Sequence, residues 1–438
     1  MPGRSGGVSK AQSHGSMRVL LLSGETLLEA EASSVFGVKK QLERQLGVSL
    51  YRLKLFLHEK EVKEAELETV QDLQLIILPY GQERARELLD ASELGDVFEA
   101  KSILESSQDP NAVCGSLAAM HAAVCMGHLD MVRLLLEAHG DQNQTGAYGT
   151  PLVIAAERGR LDIVRYLVDS GAAKDEAKAD GSTPLLCAAW GDHLEVVQFL
   201  LEAGADKDLQ RSDGASPLCC AAALDHLEVV KCLVRAGADK NLQRNNGFTP
   251  LLLAVYTNNL EVARFLVEAQ ADPNKPGAEG DTPLLFAAVD GALELVRLLL
   301  EHGADLDRAS DSGATPLISA AEEGHLELVR TFLDCSAALE EVRKDGASAL
   351  HQAALSGHVM VVEALLMARA DPTRRRGDGE TALGCGVAEG HEQVVKTFLD
   401  LGCMEPGARD MAEQLGHLSI VALLDKERLE RSKRKQPG

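Results

Sequence analysis

The sequence predicts a mostly α-helical repeat protein preceded by a small α+β domain, and three observations carry that expectation. A seven-residue block recurs along the chain at a constant spacing of 33. Between recurrences the apolar residues follow the three-and-four spacing of an amphipathic helix. Residues 17–79 lack the period and alternate polar and apolar residues as strands do.

The block Thr183-Pro-Leu-Leu-Cys-Ala-Ala returns as Ser216-Pro-Leu-Cys-Cys-Ala-Ala, Thr249-Pro-Leu-Leu-Leu-Ala-Val, Thr282-Pro-Leu-Leu-Phe-Ala-Ala and Thr315-Pro-Leu-Ile-Ser-Ala-Ala. Counted on the Thr/Ser position, units start at 150, 183, 216, 249, 282, 315, 348 and 381, with weaker copies at 118 and 86 and a shortened one over 407–424. Chance does not produce seven identical steps.

Each unit has a local physical reading. The Thr183 hydroxyl caps a helix whose first position, Pro184, needs no N–H donor. About two turns follow, with Ala188 and Ala189 small enough for a neighbouring helix to approach. His193 opens a second helix carrying Leu194, Val196, Val197, Leu200 and Leu201, and Gly204 ends it where a left-handed residue is required. Residues 206–213 form an extended finger that Gly214 turns into the next cap. One unit cannot bury its apolar face alone, so stability is expected to come from stacked neighbours.

The pattern resembles the ankyrin repeat, whose T-P-L-H-x-A and G-H-L-E signatures are matched by residues 315–320 and 324–327. The resemblance spans about residues 86–424 and implies a solenoid of about ten to eleven units including caps. Gln270, Ser336 and Arg369 stand where the helix-ending glycine belongs, so each is expected to carry about 1 kcal/mol of left-handed strain or a different turn. Ala118, Gly407 and Arg86 lack the capping hydroxyl, and the first and last units are expected to be polar outside, as terminal caps.

Residues 17–22 and 27–31 read as strands around a turn at 23–26. Ser33 or Ser34 caps a helix bearing Val38, Leu42 and Leu46 that Gly47 ends, and residues 52–57 and 72–78 read as two more strands. This β-β-α-β-β order resembles the ubiquitin-like β-grasp fold. Conjugation of the ubiquitin kind is not expected, because Leu78-Pro79-Tyr80-Gly81 runs on into the first helical cap in place of a free Gly-Gly end. In that resemblance the central apolar recognition spot of ubiquitin falls at Lys54, with Gln74 and Ile76 on the next strand, a poor match for an apolar receptor groove. The expected organisation is a disordered tail over 1–16, a β-grasp domain over 17–80, an ankyrin array over 83–425 and a basic tail over 426–438.

Composition narrows the function. At ~150 residues per domain, 438 residues suggest about three domains. Apolar residues make up 45% of the chain and aromatics only 3%, which calls for a core of Leu, Val and Ala. The net charge of −23, with both termini basic, leaves an acidic body that repels nucleic acid phosphates and anionic lipid. No apolar run approaches the ~18–20 residues of a membrane span, and residues 1–16 are no secretory signal. Nine cysteines without framework spacing point to reduced thiols and a cytoplasmic, or nuclear, protein.

No motif for chemistry survives its register. There is no phosphate loop, H-E-x-x-H or G-x-S-x-G, and Gly384-Cys385-Gly386 lies inside a repeat helix. His128, His193, His226, His325, His358, His391 and His417 share one repeat position, while His121 and His351 occupy the signature's own histidine, so a metal site is not expected. Cys187, Cys220 and Cys385 also share one position, as small core fillers, and no base and oxyanion donors accompany them. No catalytic residue, metal or cofactor is expected. The C-terminal cations Lys426, Arg428, Arg431, Lys433, Arg434 and Lys435 suit either an acidic partner or a helix C-terminus.

Partner-binding residues are expected seven and eight positions after each unit start and one before it, which the ankyrin resemblance places in the concave groove and which vary while the rest repeats. Trp190, Leu224, Phe248, Tyr256 and Thr257 form an apolar region across three units, with Trp190 and Tyr256 ~20 Å apart at about 10 Å per unit. Asp281, Asp290, Glu322, Glu323, Glu380 and Glu389 form an acidic stretch beyond it. The expected partner is a protein presenting an apolar segment with a basic flank. Three functions compete: a non-enzymatic scaffold or adaptor, an adaptor of the ubiquitin and proteasome pathway that docks through the N-terminal domain, and, last, an enzyme within that domain.

Overall fold

The computed structural model describes residues 17–20, 26–30, 34–57, 60–62 and 72–434, in two compact units, Met1–Gly191 and Asp192–Gly438. The tail over 1–16, the turn at 23–25, Ser33 and Lys435 lie outside the described residues.

The first unit opens with a five-stranded mixed sheet. Strand β1 (Met17–Leu20) runs antiparallel to β2 (Thr26–Ala30) and parallel to β5 (Asp72–Ile77), and β3 (Leu53–Leu57) lies antiparallel to both β5 and β4 (Lys60–Glu61), giving the order β2-β1-β5-β3-β4. Helix α1 (Val35–Leu46) is capped by Ser34, whose Oγ accepts from the Gly37 N–H at 3.0 Å, and ends at Gly47 in the left-handed region. Val38 and Leu42, one turn apart, bury with Val19, Leu53, Leu55, Leu73 and Leu75 in one apolar cluster. The alternation of those strand residues is what puts them on a single face. The fifth strand was absent from the sequence reading because two residues are too few to show an alternation.

Helices then take over. The first unit continues with α2 (Ala85–Leu94), α3 (Val97–Glu105), a small hairpin of β6 (Val113–Cys114) and β7 (Leu117–Ala118), α4 (Ala119–Met126), α5 (Leu129–Glu137), α6 (Pro151–Glu157), α7 (Leu161–Asp169) and α8 (Pro184–Trp190). The second unit holds α9 (Leu194–Glu202), α10 (Pro217–Ala223), α11 (Leu227–Arg235), α12 (Pro250–Tyr256), α13 (Leu260–Glu268), α14 (Pro283–Val289), α15 (Leu293–Glu301), α16 (Pro316–Glu322), α17 (Leu326–Asp334), α18 (Ala349–Leu355), α19 (Val359–Met367), α20 (Ala382–Ala388), α21 (Glu392–Asp400), α22 (Ala408–Leu415) and α23 (Leu418–Arg434). Within each unit the first helix of a repeat packs on the first helix of the next, and second helices pack on second helices, as α10 does on α12 and α11 on α13.

The repeat chemistry is the expected one. Thr150, Thr183, Ser216, Thr249, Thr282, Thr315 and Thr381 each accept a backbone N–H three residues on, at 3.1–3.3 Å. Ser348 forms a reciprocal capping box with His351. Gln270, Ser336 and Arg369 adopt the left-handed conformation with φ of 66–70°, and His139 joins them at 65°.

Two further devices hold neighbouring repeats in register. At the base of each finger a side-chain oxygen accepts the backbone N–H of the next finger: Asn241 Oδ1 from Asp272, Asn274 Oδ1 from Asp305 and Asp307 Oδ1 from Ala338, at 2.7–2.9 Å. Between helices, the imidazole Nε2 of His325, His358 and His391 donates to the carbonyls of Val289, Glu322 and Leu355 in the preceding repeat, at 2.8–2.9 Å. Each ring lies against a left-handed glycine of that repeat, and a Cβ on Gly291, Gly324 or Gly357 would come within 2.5–2.9 Å of it.

The ends depart from the expected pattern. Helix α2 begins at Ala85 after Arg84, two residues before the expected start, because the Arg84 N–H finds its acceptor in Gln108 Oε1. The outside of the first repeat is not uniformly polar: Leu94 and Phe98 are 77% and 91% exposed. Helix α23 continues through Lys426, Arg428 and Arg431 to Arg434, past the boundary that the shortened repeat and basic tail suggested. An Arg431 to Glu427 ion pair one turn apart and cations near a helix C-terminus favour that extension.

Candidate partner-binding groove

The candidate residues sit where the first helix of each repeat ends and where the finger returns to the next cap. In the first unit Trp190 is the last residue of α8 and is 49% exposed. Earlier in that unit a cavity of about 440 Å³ opens beside the same positions, lined by Leu117, Cys125, Met126, Tyr148 and Ile154, with Glu157 and Arg158 among its polar walls. Lys178 of the following finger pairs with Glu157 at 3.4 Å.

In the second unit Tyr256 ends α12 and is 56% exposed, and Phe248 precedes the Thr249 cap. Their ring centroids lie 5.8 Å apart, edge to face. A third ring completes the cluster: Phe286 of α14 stands 5.4 Å from Phe248 and 5.7 Å from Tyr256, also edge to face. Phe286 was missed because it occupies the same register as the buried core fillers Cys187, Cys220 and Cys385; the signal was its size in a place where its counterparts are small. Leu224 is exposed at the end of α10, and Thr257 returns its hydroxyl to the Leu253 carbonyl at 2.8 Å. Trp190 and this cluster belong to different units.

The acidic positions divide into two kinds. Glu322 is held by the finger arginine Arg343 at 2.9 Å, so its charge is met within the chain. Asp290 and Glu323 are exposed caps at the ends of α14 and α16. Asp281 is half-buried, and its carboxyl is raised above the usual range by burial and by the neighbouring carboxylates of Glu279 and Asp311. Two fingers earlier the opposite holds: Arg211 and Arg244 both pair with Asp213, at 2.8 and 2.6 Å, and keep its carboxyl well below the usual range.

The cysteines and histidines of the repeat register are committed to the core and to backbone bonds. Cys187 is pushed up to about 11 and Cys220 and Cys385 to about 12, chiefly by burial, which opposes thiolate formation. His121 and His351 are buried, lowered by desolvation, and bonded to the carbonyls of Gln144 and Arg374. Among the described residues no group of His, Cys, Asp and Glu is arranged to hold a metal ion, and no helix is long and apolar enough to cross a membrane.

Short capped helix pairs, bonded finger to finger and exposing varied residues at fixed repeat positions, define a helical repeat protein with a protein-interaction role. The chain belongs to the ankyrin-repeat family: a model of ankyrin repeats in three copies matches residues 88–178, 120–211, 203–277 and 271–344, and a model of many copies matches 350–399. Among curated proteins it is similar to protein phosphatase 1 regulatory subunit 27 of Mus musculus, 38% identical over 93 residues, and of Homo sapiens, 36% identical over 93 residues. Each match covers 21% of this chain and 58% of the relative, so the chain spans little more than half the length of those subunits. It is also similar to alpha-latrotoxin-Lh1a of Latrodectus hasselti, 41% identical over 73 residues, 16% of this chain and 5% of the toxin.

Proposed function

We propose that this protein is a non-enzymatic adaptor that holds partner proteins in the groove of its ankyrin array, over residues 83–425, and regulates them by holding them. The observation that carries this reading is the aromatic set, exposed Tyr256 edge to face with half-buried Phe248 and Phe286, at positions that a fold of Leu, Val and Ala has no need to fill with rings. Tyr and Trp are favoured anchors because they bury much area at small entropic cost. Leu224 adds apolar surface within the second unit, Asp290 and Glu323 supply negative charge there, in keeping with an apolar segment that has a basic flank, and Trp190 offers an exposed ring at the equivalent repeat position of the first unit. The regulatory part is supported by similarity to subunits named for phosphatase regulation, over a stretch of about one-fifth of the chain. A reducing cytoplasmic or nuclear location fits nine free cysteines. The test is capture of partners by the intact chain and by the double variant Trp190→Ala, Tyr256→Ala. Loss of partners at unchanged helicity supports the reading, and unaltered recovery removes it.

A ubiquitin-like β-grasp domain over 17–80 is part of the same proposal, supported by the strand order β2-β1-β5-β3-β4, by the parallel central pair and by one helix on the sheet. Its role as a ubiquitin-pathway dock is the weaker alternative. Lys54 is paired with Glu61 at 2.8 Å and lines a cleft of about 1070 Å³ whose other wall comes from α3 and the end of α5. The Ser107 hydroxyl, which donates to the Tyr51 carbonyl at 3.4 Å, and the Glu43 to His139 pair at 3.1 Å tie the two walls together. Enrichment of proteasome or ubiquitin-processing proteins by the intact chain would favour the alternative, and their absence the adaptor.

A further inference from the structure

The fingers carry a row of cations with a gap in it. Twenty-eight residues after the unit starts at 150, 183, 216, 315 and 348 the sequence places Lys178, Arg211, Arg244, Arg343 and Arg376, but after those at 249 and 282 it places Gly277 and Ser310, a gap between Arg244 and Arg343. Where the cation is present it meets a carboxylate of its own or the preceding unit: Lys178 with Glu157, Arg211 with Asp213, Arg244 also with Asp213 of the unit before it, Arg343 with Glu322, and Arg376 with Asp378. At the gap no such pair forms. Among the described residues no cation is ion-paired to Glu279, Asp281, Asp290 or Asp311, and burial beside Glu279 and Asp311 is already unfavourable to the Asp281 charge. The aromatic cluster lies at the same place, for the Phe248 ring stands 3.4 Å from the point where a Cβ on Gly277 would be.

We propose that this gap is a receptor for an arginine side chain presented by an extended segment of a partner protein, its guanidinium lying against Tyr256 and Phe248 and pairing with Asp281. The partner then supplies the charge that the finger row supplies elsewhere. Arginine fits better than lysine because a planar, weakly hydrated guanidinium both stacks on rings and forks onto a carboxylate. An acidic segment is disfavoured by the carboxylates of Glu279 and Asp311, which already act on Asp281. The inference rests on the groove reading above and narrows it to one side chain.

The test uses the full chain and an array of 12-residue Ala/Leu peptides with Arg, Lys, Gln or Glu at the centre, read by fluorescence anisotropy. The Arg peptide is expected to bind about tenfold tighter than the Gln peptide. Tyr256→Ala and Asp281→Asn should each reduce that ratio below about threefold, since each removes one of two contacts. Gly277→Arg, which refills the row at a position where a side chain is sterically admissible, should abolish the preference while helicity is kept. An Arg to Gln ratio near one, or a preference that survives all three substitutions, overturns the inference. Peptides bound without regard to arginine but lost with Trp190→Ala, Tyr256→Ala would overturn it and leave the groove reading standing. Peptides bound equally by every variant would overturn both.

Discussion

Ala118 shows how one missing hydroxyl propagates. Elsewhere a Thr or Ser caps the first helix, and in the Ser348 repeat the same hydroxyl contacts the Nδ1 of His351 at 2.8 Å. Ala118 has the extended backbone of those caps but no side-chain acceptor, and the Nδ1 of His121 is left buried without a partner. That orphan is therefore a consequence of the sequence and not a ligand site. Ala118→Ser restores both contacts and should stabilise the fold by about 1 kcal/mol, seen as a higher urea midpoint at unchanged slope. No gain would mean that the hydroxyl does not reach the ring. The absent cap was legible in the sequence as a non-hydroxyl residue at a unit start. The orphaned nitrogen was not, because it depends on which way the imidazole turns once Gln144 has taken Nε2.

Among elements, the junction between the two helices of a repeat is the most constrained. The histidine row is legible in the sequence, but the reciprocal condition, that the preceding repeat must leave room for the ring, is not. Gly324 leaves that room for His358. Where the glycine is replaced, the histidine of the next repeat persists once and is lost twice. Asp192, left-handed at 57°, faces His226 at 3.7 Å; Asp225 precedes the smaller Asn259, which bonds the Ala222 carbonyl; and Asn258 precedes Ala292. Gly324→Ala should cost about 2–3 kcal/mol, from left-handed strain plus displacement of the His358 bond. In the background His358→Ala the cost should fall to the strain alone, about 1 kcal/mol. Equal costs in both backgrounds would show that the ring is not what the glycine accommodates. At the ends, the helical pattern was visible in α2 and α23, but their limits were not, because these depend on Gln108 and on ion pairs beyond the repeat.

For the whole molecule, the thiol register ties stability to pH. Cys187, Cys220 and Cys385 sit well above their ordinary value of 9.0, at about 11, 12 and 12, because burial disfavours the thiolate. A folded value raised above the unfolded one contributes stability that is fully present below pH 9 and is lost as pH rises towards 12. The denaturation midpoint should therefore fall between pH 9 and 11, and fall less steeply in a Cys220→Ala, Cys385→Ala variant. Identical slopes would refute the assignment. Exposed Cys335 should be alkylated readily while the four buried thiols, Cys187, Cys219, Cys220 and Cys385, wait for unfolding.

What the sequence determined by itself was everything that repeats: the 33-residue period, the hydroxyl caps, the proline at the first helical position, and the helix-ending position that Gln270, Ser336 and Arg369 occupy. These follow from chemistry among residues a few positions apart, copied often enough to stand out from chance. Only the tertiary structure decided that Phe286 joins Phe248 and Tyr256, that Arg343 neutralises Glu322 while Asp281 stays unmet, and that a two-residue strand completes the N-terminal sheet. Those contacts join residues whose separation in the chain carries no periodic signal, and which of them meet depends on how closely neighbouring helices, strands and fingers pack.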